Sequence, residues 1–133
     1  MLLVKTYLAR SPVHGFGCFT VQFIKAGTEV WKLHRPFDVV YTREQLLALP
    51  EPAREQANNY CYRDKSDGLY VLCGDDARFF NHADDAVLGY DEKHRNINLV
   101  DLYPGDELTC DYYDFDGDAV RKLGPKNKRT RRK

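Results

Sequence analysis

Arg78-Phe79-Phe80-Asn81-His82 and Gly105-Asp106-Glu107-Leu108-Thr109-Cys110-Asp111-Tyr112 carry most of the information in this 133-residue chain. The first stretch sets a side-chain amide beside an imidazole after two aromatic residues. The second is a glycine turn running into a strand that ends on a tyrosine. Alone, an Asn-His pair reads as a loop and an Asp-Tyr pair as a strand end. Their order, behind a Gly15-Phe16-Gly17 loop near the N-terminus, joins them into one chemistry.

Working outward, the N-terminal half reads as short strands broken by Gly and Pro. Leu2 to Leu8, Cys18 to Val21, Thr28 to His34 and Phe37 to Tyr41 have β-branched or aromatic content, with breaks at Ser11-Pro12, Ala26-Gly27 and Arg35-Pro36. The period then changes. Thr42 followed by Gln45 is a capping-box pattern leading into Leu46, Leu47 and Leu49, and a second helix is expected from Pro52 to about Tyr60. Asp67-Gly68 reads as a hairpin turn before Leu69 to Cys73, and Asn96 to Asp101 alternates as a half-buried strand. There is also an internal echo. Val21-x-x-Ile24-x-x-Gly27-x-Glu29-Val30 matches Leu99-x-x-Leu102-x-x-Gly105-x-Glu107-Leu108 position for position. It reads either as one strand–turn–strand unit used twice around a helical insert, or as two unrelated β-turn-β segments.

The length suits one domain with a real core, mainly β with a short helical insert. Charged residues make up 30%, and Lys+Arg and Asp+Glu both count 20, so net charge points to neither a nucleic acid nor a membrane surface. Asp106 to Asp118 nevertheless carries six acids and no base, whereas Arg121 to Lys133 carries eight bases and no acid. No apolar run approaches the roughly 20 residues of a membrane span, and Lys5 interrupts the short Met1-Leu2-Leu3-Val4 run, so an intracellular, soluble protein is expected, cytoplasmic or nuclear. Cys18, Cys61, Cys73 and Cys110 form no CxxC pair, which suggests buried reduced thiols and no metal site.

With these pieces assembled, the chain resembles the SET-domain family of protein lysine methyltransferases, in its minimal stand-alone form, over roughly Lys5 to Phe115. Ser11-Pro12-Val13-His14-Gly15-Phe16-Gly17-Cys18-Phe19 is similar to the family's opening motif, and the two quoted stretches are similar to its Arg-Phe-x-Asn-His and Gly-Glu-Glu-Leu-Thr-x-Asp-Tyr motifs. The resemblance implies several small curved β-sheets with a C-terminal knot-like crossing, a SET domain over 1–118 and a basic, flexible tail over 119–133. It implies S-adenosylmethionine as cofactor, held by His14, Gly15, Phe16, Gly17, Arg78, Asn81 and His82 with Phe115 over the adenine. It implies Tyr112 as catalytic tyrosine and a lysine channel of Tyr60, Tyr62, Cys110 and Tyr113. Trp31, alternating with Val30, is read as packing.

The implied chemistry sets physical requirements. A neutral amine attacks a methyl in line, but a lysine ammonium has a pKa of about 10.4, so neutrality near pH 7.5 costs roughly 4 kcal/mol. A dry aromatic channel facing a sulfonium lowers that pKa. Such a site needs apolar walls, a few polar groups to aim the amine, and no strong base. The substrate would be a basic, lysine-containing protein such as a histone, a ribosomal protein or a DNA-packaging protein, bound by a monomer or homodimer.

Three features depart from the family's pattern. Ala83-Asp84-Asp85-Ala86-Val87 stands where small SET proteins carry Ser and then Pro-Asn, which removes support from the cofactor loop unless Asp84 or Asp85 caps it. Cys110 stands where a Phe or Tyr commonly tunes the number of methyl groups added. The zinc-binding cysteines that often follow the domain are absent. The rival reading is an inactive SET-like module that binds basic peptides through its acidic belt; a third makes the tail a nucleic-acid element.

Overall fold

The computed structural model describes residues 1–126. The chain runs β1 (Thr6–Arg10), β2 (Phe16–Thr20), β3 (Glu29–Trp31), β4 (Val39–Tyr41), α1 (Arg43–Leu47), α2 (Glu51–Tyr60), β5 (Tyr62–Arg63), β6 (Tyr70–Leu72), a 3₁₀ turn (Asp76–Phe79), β7 (Asn81–His82), β8 (Leu88–Tyr90), β9 (Asn96–Asn98), β10 (Thr109–Cys110), α3 (Tyr112–Phe115) and α4 (Ala119–Leu123). These strands form four small sheets, β1-β2, β4-β6-β5, β3-β9-β8 and β7-β10. The architecture is the mainly β one expected, with α1 and α2 inserted between β4 and β5.

Most strands are shorter than the sequence suggests. The expected Leu2–Leu8 strand is the clearest case. Leu2 to Val4 runs beside β3, with Leu2 bridging Trp31 and the Leu3 N–H donating to the Val30 carbonyl at 2.9 Å, and only from Thr6 does a ladder with β2 begin. Hydrophobic content marked extended chain there; the partner ladder sets where a strand starts. The helices follow their caps more closely. Thr42 and Gln45 form the capping box, and Pro52 lies in the first turn of α2, where its missing N–H costs nothing. Leu46, Ala57 and Cys61 bury the two helices against Tyr41, Leu49, Tyr70 and Leu72.

The internal echo is structural. Ile24 and Leu102, equivalent positions of the two units, pair with each other through N–H···O bonds of 2.8 and 2.9 Å. Around that pair each bond has its counterpart. The Gly27 N–H donates to Asn98 O and the Gly105 N–H to Thr20 O, both at 2.8 Å. Thr20 N–H donates to Asp106 O at 3.0 Å and Asn98 N–H to Thr28 O at 3.3 Å. Val30 and Leu108 are equivalently and fully buried, in a core shared with Cys18, Ile24, Leu88, Leu102 and Cys110.

Past Leu108 the symmetry ends. β10 pairs in parallel with β7, Thr109 opposite Asn81 and Cys110 opposite His82. A parallel pair needs a long crossover, here the whole run from residue 83 to 108. The loop after β7 then closes over β10, the Ala83 N–H donating to Cys110 O and the Val87 N–H to the Thr109 hydroxyl. Within the tail expected over 119–133, Ala119–Leu123 forms α4, fixed by the Tyr113 hydroxyl donating to Gly124 O at 2.7 Å. Residues 127–133 of the expected flexible tail lie outside the described residues. No helix among the described residues is long and apolar enough to cross a membrane.

Candidate active site

The β7–β10 pairing brings the two opening stretches together. Because Cys110 sits opposite His82, the next residues of β10 turn directly past the imidazole into α3. The N–H of Tyr112, one of the unpaired donors of a helix start, donates to His82 Nδ1 at 3.1 Å. That bond assigns the imidazole proton to Nε2, 3.0 Å from Asp84 Oδ1. Asp84 thus supplies local support within the segment that departs from the family's pattern. The His82 ring also meets Tyr112 edge-on, with centroids 5.5 Å apart.

The Tyr112 hydroxyl donates to the Phe80 carbonyl. Burial pushes its ionisation well above the ordinary tyrosine range, so the group is a neutral donor and not a base. Asn81 faces the other way. Its amide nitrogen donates to the carbonyls of His14 (3.0 Å) and Phe16 (3.1 Å), clamping the β1–β2 loop onto β7. Its Oδ1 accepts from no described donor. Gly15 turns that loop at φ +47°, and Gly17 packs so closely that a Cβ there would stand 2.8 Å from Glu107 Oε1.

Two cavities meet at Tyr112. One is a cleft of about 760 Å³ whose walls include His14, Gly15, Phe16, Asn81, His82 and, on α4, Arg121 and Lys122. The other is a narrower passage of about 100 Å³ walled by Trp31, Tyr60, Tyr62, Tyr90, Cys110 and Phe115. Tyr60, Arg78, Phe80, Tyr112 and Lys122 line both and form the waist between them. Along the passage the aromatic rings meet edge-on: Trp31 with Tyr62 at 6.4 Å, Tyr62 with Phe115 at 5.1 Å, and Phe115 with Tyr112 at 5.9 Å. Arg78 is held in the wall by the Cys73 carbonyl, which accepts from Nη2 at 2.8 Å, and it lies over the Tyr60 ring.

Three expected site residues stand elsewhere. Phe115 lines the passage and not the cleft, because α3 turns it back onto Tyr62 and Tyr112. Tyr113, expected in the channel, points to the opposite side of α3, against His82 and Gly124. Gly17 borders neither cavity; its missing side chain makes room for Glu107. The remaining expected residues line one cavity or both. Burial pushes the Cys110 thiol well above its ordinary range, so it is an uncharged, small wall.

Trp31, expected only as packing, and Tyr90, Asn96 and Lys122, for which no site role is expected, all line the passage. Trp31, Asn96 and Tyr90 are register partners in one row across β3-β9-β8, and all three face the passage. Alternation with the buried Val30 does put Trp31 on the opposite face of its strand, but nothing local tells what that face meets. Lys122 was counted with the tail. Its Nζ donates to Cys61 O at 2.7 Å and to Asp116 Oδ2 at 2.6 Å, 5.9 Å from the Tyr112 ring centroid. The acidic belt is largely consumed in such contacts. Asp106, Glu107, Asp111, Asp116 and Asp118 all bond within the chain.

The SET domain family model matches residues 15–113, and the chain belongs to that family. No curated protein matches the chain significantly in sequence. Among solved structures it is similar to a humanized mutant of the Chaetomium thermophilum Polycomb Repressive Complex 2 bound to the inhibitor GSK126, with a TM-score of 0.61 and 19% identity over 89% of this chain and 16% of that one. It is similar to the same complex, ctPRC2, in an autoinhibited conformation bound to S-adenosylmethionine (TM-score 0.55, 22% identity, 90% of this chain, 16% of that one). A Plasmodium falciparum protein named as a candidate histone methyltransferase matches at a TM-score of 0.54 and 18% identity, over 84% of this chain and 95% of that one. These likenesses show the fold; the chain spans about a sixth of the Polycomb chains.

Proposed function

We propose that this SET domain transfers a methyl group from S-adenosylmethionine to the ε-amine of lysine in a basic protein. The observation that carries the reading is the meeting of a wide, polar-lined cleft and a narrow aromatic passage at one tyrosine hydroxyl. The cleft has the size of a small-molecule site, for which about 300–1,000 Å³ is usual. Its polar groups suit an amino-acid end: Asn81 Oδ1 has no described donor and can accept from an ammonium, and Arg121 is a cation for a carboxylate. When bound, the cofactor supplies an electrophilic methyl on a sulfonium.

The chain's own residues do the rest. The rings of Tyr60, Tyr62, Tyr112 and Phe115 wall a passage that strips water from a lysine side chain, which disfavours its ammonium form. Tyr112, neutral and anchored on the Phe80 carbonyl, gives the amine and the methyl a fixed polar reference at the waist. Holding the reacting atoms about 3–3.5 Å apart accounts for much of the rate in such a site. The thiol of Cys110 leaves more room beside the amine than a phenol or phenyl would, so products with more than one methyl are expected. A strictly monomethylated product in mass spectra removes that assignment.

Incubation with methyl-labelled cofactor and a panel of basic proteins, followed by residue mapping, tests the whole reading. Label on lysine is the expected result. Cofactor binding without label on any lysine would replace the enzyme with a binding module, although only Asp114 of the acidic belt keeps a carboxylate without a described partner.

A further inference from the structure

One wall of the cleft is a loop whose shape is held by two residues that border neither cavity. Val13, His14, Gly15 and Phe16 line the cleft, and Ser11 holds their backbone. The Ser11 N–H donates to Gly15 O at 2.8 Å, and its hydroxyl accepts from the N–H groups of Val13 at 2.9 Å and His14 at 3.5 Å. A hydroxyl has two lone pairs and one proton. With the lone pairs turned to the loop, the proton needs an acceptor elsewhere, and Glu107 Oε1 takes it. The second carboxylate oxygen, Oε2, lies 3.4 Å from the Asn81 amide nitrogen, which also donates to His14 O and Phe16 O. One carboxylate thus stands behind both fasteners of the loop. Its place is fixed by the backbone, since Glu107 bridges Phe19 and the next N–H, that of Leu108, donates to Cys18 O at 2.8 Å. Gly17 leaves it the space, because a Cβ there would stand 2.8 Å from Oε1.

Resting on the reading of the cleft as the cofactor site, we propose that Ser11 and Glu107 are positioning residues for the cofactor. The carboxylate orients the Ser11 hydroxyl, and the hydroxyl sets the backbone of residues 13 to 16 that receives the ligand. A hydrogen bond to an ionised acceptor is about twice as strong as a neutral one, so the pair holds the loop more firmly than a hydroxyl alone. Both act on binding and not on methyl transfer, because neither reaches the waist at which Tyr112 stands. The repeated unit supplies its own control. Glu29 is the equivalent of Glu107 in the first copy, but on β3 it pairs with Ile97 of β9, and it borders neither cavity. The same unit therefore carries a glutamate at the same step twice, and only the second one reaches the cofactor loop.

Calorimetry with S-adenosylmethionine on the full chain, with steady-state kinetics beside it, tests this. Ser11→Ala and Glu107→Ala should each weaken cofactor binding roughly tenfold, the worth of one hydrogen bond to a charged group. The KM for cofactor should rise alike, while kcat at saturating cofactor stays within about a factor of two. Because the two residues act through one bond, the double variant should also lose roughly tenfold, and not the roughly hundredfold of independent sites. Ser11→Thr, which keeps the hydroxyl, and Glu29→Ala should both bind as the wild type does. Unchanged affinity in Ser11→Ala, a kcat that falls together with affinity, or a hundredfold loss in the double variant overturns the proposal. A wild type that binds S-adenosylmethionine beside unaffected variants removes this inference alone, whereas a wild type that binds none removes the reading on which it rests.

Discussion

Thr20–Trp31 and Asn98–Thr109 are two copies of one strand–turn–strand unit, alike in their framework and different in where they lead. Both turn on a glycine at positive φ, bury an aliphatic residue at the shared pairing point (Ile24, Leu102) and bury a second one three residues past the turn (Val30, Leu108). Both open on a buried polar side chain that bonds the carbonyl two residues on, Thr20 to Gln22 O at 2.7 Å and Asn98 to Val100 O at 3.0 Å. The first copy then runs antiparallel to β9 and sets Trp31 in the wall of the aromatic passage. The second runs parallel to β7 and sets Cys110 in the passage and Tyr112 at its waist. One packing solution, used twice, thus leaves its two exits free to build two sides of one site.

The largest effect should come from the exit of the second copy. Tyr112→Phe removes the hydroxyl at the waist and leaves the ring against Phe115 and His82, so turnover should fall roughly 100- to 1,000-fold, in the range seen when one transition-state donor is deleted. Cofactor affinity, measured by calorimetry, should stay within a factor of two; a variant that loses both together would make Tyr112 structural. Next come the opening residues. Asn98 is tied three ways, donating to Ile24 O at 2.9 Å and Val100 O at 3.0 Å and accepting from Thr28 N at 2.9 Å, whereas Thr20 makes two bonds, to Gln22 O and from Gln22 N. Asn98→Ala should cost about 3 kcal/mol and Thr20→Ala about 2, measured by urea unfolding. The reverse order would mean that the two copies do not carry load as their bonds imply.

What could be read from the sequence follows this same division. Glycines, caps and apolar spacing act locally, so the repeated unit, the capping box at Thr42 and the helical insert were all visible in the residues. The motif around Asn81-His82 and Tyr112 was visible through its resemblance. The parallel β7–β10 pairing depends on a crossover of some two dozen residues, and no periodicity encodes it. Side-chain direction past the motifs was hidden for the same reason. Whether Phe115 or Tyr113 faces the passage depends on how α3 rotates after His82 accepts the Tyr112 N–H, a contact between residues 30 apart in sequence. Trp31 and Asn96 were hidden because each is ordinary on its own strand, and only the pairing of β3 with β9 sets both in the wall of the passage.

The smallest effect is the sharpest test of equivalence. Gly27 and Gly105 hold φ values of +87° and +93°, which L side chains rarely adopt. Around Gly27 no atom would lie within 4 Å of an added Cβ, and at Gly105 only the Tyr7 hydroxyl would, at 4.0 Å. Steric crowding is therefore absent from both sites, and Gly→Ala should report backbone strain alone, about 1–2 kcal/mol in each copy. Each glycine N–H also bonds the carbonyl that opens the other copy, Gly27 to Asn98 and Gly105 to Thr20. If the two turns are one element used twice, the single variants should lose equal stability within about 0.5 kcal/mol, and any coupling in the double variant should be traceable to those two bonds. A gap larger than about 1 kcal/mol between the single variants, beyond the scatter of additive sites, would show that the exit strands, and not the turns, determine how each copy is held.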